Sequence, residues 1–244
     1  MAALRSYLLL VKWQGLRSKG FLPFAIVIQA LFSLGIVVGL PLLFPQMDET
    51  TILYLATGAP AITLITMGLV AVPQMVASAK TEGTLDYMRT LPIPRVVYLL
   101  ADLTVQLAIV LPGVVFGVVI AALWFDLPLA PSPLVIPSVI LVVLTATAVG
   151  YGLAAVLPPL MANLLSQVLV VLVFMFSPLN FPAERMPEWL ATLHSVLPIQ
   201  AMGEVLRGTL APQAFPLTVG AYGMLAIWAV GAFAVTWRIL ARRG

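Results

Sequence analysis

The chain has 244 residues, of which 62% are hydrophobic types and only 9% are charged, with 12 Lys and Arg against 9 Asp and Glu for a net charge of +3. A soluble domain carries roughly a quarter charged residues because its surface faces water, so this charge count excludes a water-facing fold and leaves lipid as the solvent over most of the exterior. The absence of cysteine excludes disulfides, thiolate catalysis and cysteine metal sites, and the basic residues sit at the ends of apolar runs rather than beside clustered aromatics, which argues against a nucleic-acid partner.

The N-terminal segment, residues 1–20, carries Arg5, Lys12 and Lys19 at intervals of seven, one charged stripe on a helix, with Leu4, Leu8 and Val11 to one side. This pattern suits an interfacial helix lying along a leaflet with its cations towards lipid phosphates. The alternative is a plain cytoplasmic extension of the first span. Charge-free stretches follow: Phe21 to Met47, Thr50 to Ala79, Leu103 to Phe125, Leu127 to Ala183 and Gly208 to Trp237. A spanning helix needs about 20 mostly apolar residues. The fourth stretch, 57 residues, is too long for one span and is interrupted at Leu157-Pro158-Pro159 and near Asn163, so it reads as two. The expectation is an all-α membrane protein with six spans at roughly 22–44, 52–78, 96–124, 134–157, 162–180 and 215–237. The first is not read as a cleaved signal peptide, because its apolar run is far longer than such a segment and lacks a small-x-small site at a suitable distance.

Ten basic residues (Arg5, Lys12, Arg17, Lys19, Lys80, Arg89, Arg95, Arg238, Arg242 and Arg243) fall on one side of this layout, and only Arg185 and Arg207 on the other. The positive-inside rule places the ten, and both termini, in the cytoplasm.

Between spans two and three, residues 79–95 hold five charges in a chain that otherwise avoids them. Leu85, Met88 and Leu91 make an apolar edge at helical spacing, and Glu82, Asp86 and Arg89 a polar one, before Pro92 and Pro94 stop the helix. A short amphipathic helix of this kind can dock into a groove of a partner protein; a solvated loop helix touching nothing fits the pattern equally.

Polar residues within the spans are few. Asp102 is the one clearly embedded acid, and intramembrane charges are functional candidates by default, although a position near the cytoplasmic interface with local hydrogen bonds also accounts for it. Gln29, Gln74, Gln106, Asn163, Gln167 and Asn180 could line a pathway or bridge helices. Gly35-x-x-x-Gly39 and Gly113-x-x-x-Gly117 would let helices approach closely. His194, the lone histidine, has no second His or Cys to share a metal, and is expected at the outer surface.

Glu82-Gly83-Thr84-Leu85-Asp86, with Leu91-Pro92 and Arg95, resembles the cytoplasmic loop of type-2 ABC exporter permeases, the membrane subunits of ATP-binding-cassette exporters of drugs, lipids and polysaccharides. A second stretch, Phe176-Ser177-Pro178, Phe181-Pro182, Met186-Pro187-Glu188-Trp189-Leu190 and Leu197-Pro198, resembles that family's segment after span five, where short re-entrant helices return partway into the outer leaflet. The resemblance implies a single permease domain with an interfacial helix, a coupling helix seated on an ATPase through Glu82–Leu91, and a re-entrant segment over residues 181–207 marked by Pro182, Pro187, Trp189 and Pro198. It also implies a second permease subunit meeting this one along spans one and five. ATP and Mg would be bound by the partner ATPase, since the sequence has no Gly-x-x-x-x-Gly-Lys-Ser/Thr phosphate loop. The short loops argue against a large extracellular domain and suit a hydrophobic or amphiphilic substrate. A membrane-embedded lipid-modifying enzyme would need convergent acids or nucleophile–base pairs, and a proton-coupled carrier several embedded ionisable groups; here there is only Asp102.

Overall fold

The computed structural model describes residues 2–20, 22–43, 48–84 and 95–242. Among them all regular structure is helical, and six helical segments are long and apolar enough to cross a membrane: Pro23–Leu43, Glu49–Thr81, Leu100–Phe125, Val135–Val156, Pro159–Phe176 and Val219–Thr236. An N-terminal helix, Ala2–Ser18, precedes them. A 3-10 turn, Ala183–Arg185, and two short helices, Glu188–Val196 and Pro198–Leu210, lie between spans five and six. The even number of spans puts both chain termini at one end of the bundle.

The boundaries show how proline shapes a chain that is apolar throughout. Spans one and two are each interrupted by a π-helical turn, Gly35–Gly39 and Met67–Ala71. Each turn ends two residues before a proline, Pro41 and Pro73. A proline inside a helix donates no N–H and crowds the carbonyl four residues back, and a widened turn absorbs both defects. At Leu157 and Pro158 the backbone is instead extended, with ψ of 146° and 153°, and Pro159 opens span five at a position where its missing N–H costs nothing. Span five therefore begins at Pro159, runs unbroken through Asn163 and ends at Phe176. The expected range of 162–180 is corrected at both ends.

Lipid offers no hydrophobic drive for one helix to join another, so small residues and close packing must hold the bundle. Span two is its centre: 83% of its apolar stretch is buried, against 17% for span five. Its widened turn seats on span four. A Cβ added to Gly68 would lie 2.4 Å from the Ala146 side chain and 2.6 Å from its backbone, and one added to Gly150 would lie 2.1 Å from the Gly68 carbonyl oxygen. Gly113 and Gly117 of span three likewise receive Gln29 and Ser33 of span one. Added carbons at Gly35 and Gly39 would meet nothing within 4 Å.

The N-terminal helix packs through Leu10, which is buried, and through the Tyr7 hydroxyl, 2.7 Å from that of Thr104 in span three. Arg5, Lys12 and Lys19 are exposed, and so are Leu4 and Leu8. At the end of span two, the Lys80 ammonium donates to the Ala154 and Leu157 carbonyls at 2.5 and 3.3 Å, satisfying the last turn of span four.

Candidate functional site

Where spans one to four meet the N-terminal helix, near the end that carries the termini, the packing opens into a cavity of about 540 Å³. Four of the amides and acids singled out from the sequence line it: Gln29, Gln74, Asp102 and Gln106. Gln14, Tyr98 and Tyr151 line it too and were not foreseen. Asp102 is 5% exposed. Its carboxylate accepts from the Tyr151 hydroxyl of span four and from the Gln106 amide one turn along span three, both at 2.5 Å. Its hydrogen bonding is thus half local, as a helix spacing of four dictates, and half a bridge between spans.

The cavity's polar groups are incompletely matched. Gln14 is buried, and neither its amide nitrogen nor its oxygen has a partner; the amide oxygens of Gln29 and Gln106 also lack one. Buried polar atoms are normally satisfied, so the amides of Gln14, Gln29 and Gln106 leave unused bonding capacity in residues that line the void.

Two further lining residues, Glu82 and Thr84, belong to the loop that the sequence marks for docking. Glu82 ends the span-two helix, its N–H donating to the Ser78 carbonyl at 2.9 Å, and Gly83 follows in the left-handed region at φ 71°. That conformation, which glycine adopts at little cost, is what turns the chain out of the helix. Leu85, Asp86, Met88, Arg89 and Leu91 lie outside the described residues.

The remaining expected pathway residues are elsewhere. Asn163 and Gln167 are exposed on the surface of span five, one turn apart. Asn180 lies in the turn after span five, where its amide donates to the Phe174 carbonyl at 3.1 Å.

At the opposite end of the bundle a second buried charge is held by stacked rings and a carbonyl. Arg207, on Pro198–Leu210, is 4% exposed. Its guanidinium carbon sits 3.4 Å from the centre of the Tyr54 ring and 5.6 Å from that of Phe215, and Nη2 donates to the Leu179 carbonyl at 3.1 Å. The Tyr54 hydroxyl donates to the adjacent Pro178 carbonyl, also at 3.1 Å. Gly58 and Gly203 make room: added carbons there would stand 2.0 Å from the Leu179 carbonyl oxygen and 2.5 Å from its side chain. Stacking on aromatic rings is the use for which the flat, weakly hydrated guanidinium is suited.

Of the prolines and tryptophan expected in this segment, Pro187 and Pro198 each precede or open a short helix, Pro182 precedes the 3-10 turn, and Trp189 is 69% exposed. His194, expected at the surface, has a buried side chain, and burial holds its pKa below the ordinary value. It lies on the inward edge of Glu188–Val196 with Leu190, one turn back, also buried. Among the described residues no three His, Asp or Glu side chains gather as a metal would require.

The model of a known family, the ABC-2 type transporter, matches residues 6–211. A search of curated proteins returns no match. The match runs from the N-terminal helix through Pro198–Leu210 and takes in the cavity and Arg207 with Tyr54 and Leu179, Phe215 lying just beyond it. Together with six apolar helices of spanning length, it establishes that the chain belongs to the ABC-2 type transporter family, as a membrane-spanning transport subunit and not itself an enzyme.

Proposed function

We propose that the chain is the permease of an ATP-driven exporter for hydrophobic or amphiphilic molecules, working with a second permease subunit and with separate ATPase subunits that bind ATP and Mg. The observation that carries this reading is a shared wall. Glu82 and Thr84 open the loop expected to rest on the ATPase, and both line the cavity. Movement of the loop on nucleotide binding would thereby reshape the space that holds a substrate. Both termini would then be cytoplasmic, on the side of the ten basic residues.

Two surface features support a second permease subunit. Asn163 and Gln167 lie roughly 6 and 12 Å along span five from Pro159, and both are exposed. Side-chain amides within the hydrocarbon are poorly accommodated unless they bond across to another helix. Gly35 and Gly39 of span one leave the open room that a close helix–helix contact uses. A second protomer packed along spans one and five would cover both features.

The segment before span six fits a re-entrant role. Trp228, nine residues into span six and thus roughly 14 Å along it, donates through Nε1 to the Val196 carbonyl at 2.9 Å. The junction of the two short helices thus lies well below the start of span six, and Pro198–Leu210 climbs back along spans two, four and six.

Co-purification tests the proposal. Expressed with the ATP-binding-cassette ATPase of its gene neighbourhood, the chain should bring that ATPase down, and Glu82→Ala with Leu85→Ala should weaken the association at least tenfold. Absence of any ATPase, or association indifferent to the altered loop, overturns it.

A further inference from the structure

The described lining of the cavity carries acids and no bases: Glu82 and Asp102 are present, and no Lys, Arg or His is among them. Asp102 is buried with neutral partners only, and among the described residues no cation acts on it. A carboxylate withdrawn from water without a cation is costly, and a positive ligand would remove that cost where a neutral or anionic one would not. Gln14, Gln29 and Gln106 each hold an unpartnered amide oxygen, an acceptor that an N–H donor of a ligand can use, and Gln14 an unpartnered amide nitrogen as well. The rings of Trp13, Tyr98 and Tyr151 also line the space, and aromatic faces attract organic cations. A volume of about 540 Å³ falls in the range that holds drug-sized ligands. A bare metal ion would leave most of that space empty and would find no cluster of ligating side chains among the described residues.

We propose that this cavity, contained within one protomer, is a binding site for organic cations with an apolar body, the charge being met by Asp102 and the surrounding amide oxygens and rings. That such a cation is also the transported substrate rests on the exporter reading; binding does not.

The experiment uses the full-length chain in nanodiscs of uncharged lipid, with binding to empty discs subtracted. The probes are radiolabelled tetraphenylphosphonium and tetraphenylborate, alike in shape and opposite in charge. Tetraphenylphosphonium should bind saturably, one per protomer, and tetraphenylborate should not. Asp102→Asn keeps an oxygen for Tyr151 and Gln106 to bond and removes the charge; it should weaken tetraphenylphosphonium binding tenfold or more, which is about 1.4 kcal/mol. Glu82→Gln, at an exposed position, should weaken it about threefold, a loss of the size expected of a more solvated charge. Gln14→Leu, which leaves Asp102 and its two partners in place, should weaken it several-fold, so the proposal stays testable if Asp102→Asn does not assemble. Equal binding of the two probes, or affinity unchanged by both Asp102→Asn and Gln14→Leu, overturns the cation site. Saturable cation binding by a chain that brings down no ATPase would leave the site standing and remove the exporter reading; an associated ATPase without cation binding would do the reverse.

Discussion

Two buried charges, Arg207 and Asp102, sit towards opposite ends of one bundle and are housed in contrasting ways. Arg207 is held by rings and a carbonyl, with Gly58 and Gly203 leaving the room that Leu179 fills, and one of its nitrogens, Nε, stays without a partner. Asp102 borders a void and has two neutral hydrogen-bond partners. The first arrangement spends its polar contacts on holding the segment before span six against span two. The second leaves acceptors unused around empty space. A buried charge in a membrane protein is therefore not one kind of signal: the packing around it separates an anchor from a site.

The comparison can be broken by disturbing each end in turn. The largest effect should come from Gly58→Ala. Its new carbon would stand 2.0 Å from the Leu179 carbonyl oxygen, and backbone cannot move aside as a flexible side-chain tip can, so we expect a loss of about 3 kcal/mol or more, read as a collapse of the monodisperse peak in size-exclusion chromatography. Arg207→Lys should cost about 2 kcal/mol, because an ammonium keeps the charge but loses the stacked plane; a fall in thermal unfolding temperature would show it. Asp102→Asn should be neutral or stabilising by about 1 kcal/mol in the same assay, since it removes an uncompensated charge while leaving an acceptor. A loss at Asp102 as large as that at Arg207 would erase the distinction. Gly83→Ala should cost about 1 kcal/mol through its φ of 71°. The smallest effect is a pH slope from His194. Burial lowers its folded pKa below the ordinary histidine value of 6.5, so the unfolded chain takes up the proton first and stability falls as pH drops through that region. His194→Leu should flatten the slope in a thermal melt taken from pH 8 to pH 5.

The spans were legible because an apolar exterior writes itself as stretches without charge, and the loop between spans two and three because charge is scarce everywhere else. The faces of the spans were not legible. Five of the six amides stand in helices apolar all round, where no polar stripe gives the phase. Nothing in the sequence separates Gln29, Gln74 and Gln106, which meet at one cavity, from Asn163 and Gln167, which face outward. Gln14 is not legible because the charged stripe is the visible pattern of the N-terminal helix, while its inner edge is Tyr7, Leu10 and Gln14. Tyr151 hides as one more large residue in an apolar span, although a phenol there is a donor in need of an acceptor. Arg207 reads as a loop charge because its nearest ring and its carbonyl come from Tyr54 and Leu179, far away along the chain. The start of span five differs from the expected 162 because Asn163 does not break the helix: the two prolines before it set its first turn.

The central claim is that the cavity and the loop beginning at Glu82 move together. The sequence contains no cysteine, so Gln29→Cys places a single reactive thiol in the cavity wall, and a soluble maleimide reports its accessibility in the assembled complex with the ATPase. Adding a non-hydrolysable ATP analogue should change the labelling rate at this position at least fivefold, with little change at Glu188→Cys, an exposed position at the opposite end of the bundle. A rate at Gln29→Cys that is the same with and without nucleotide would contradict the account.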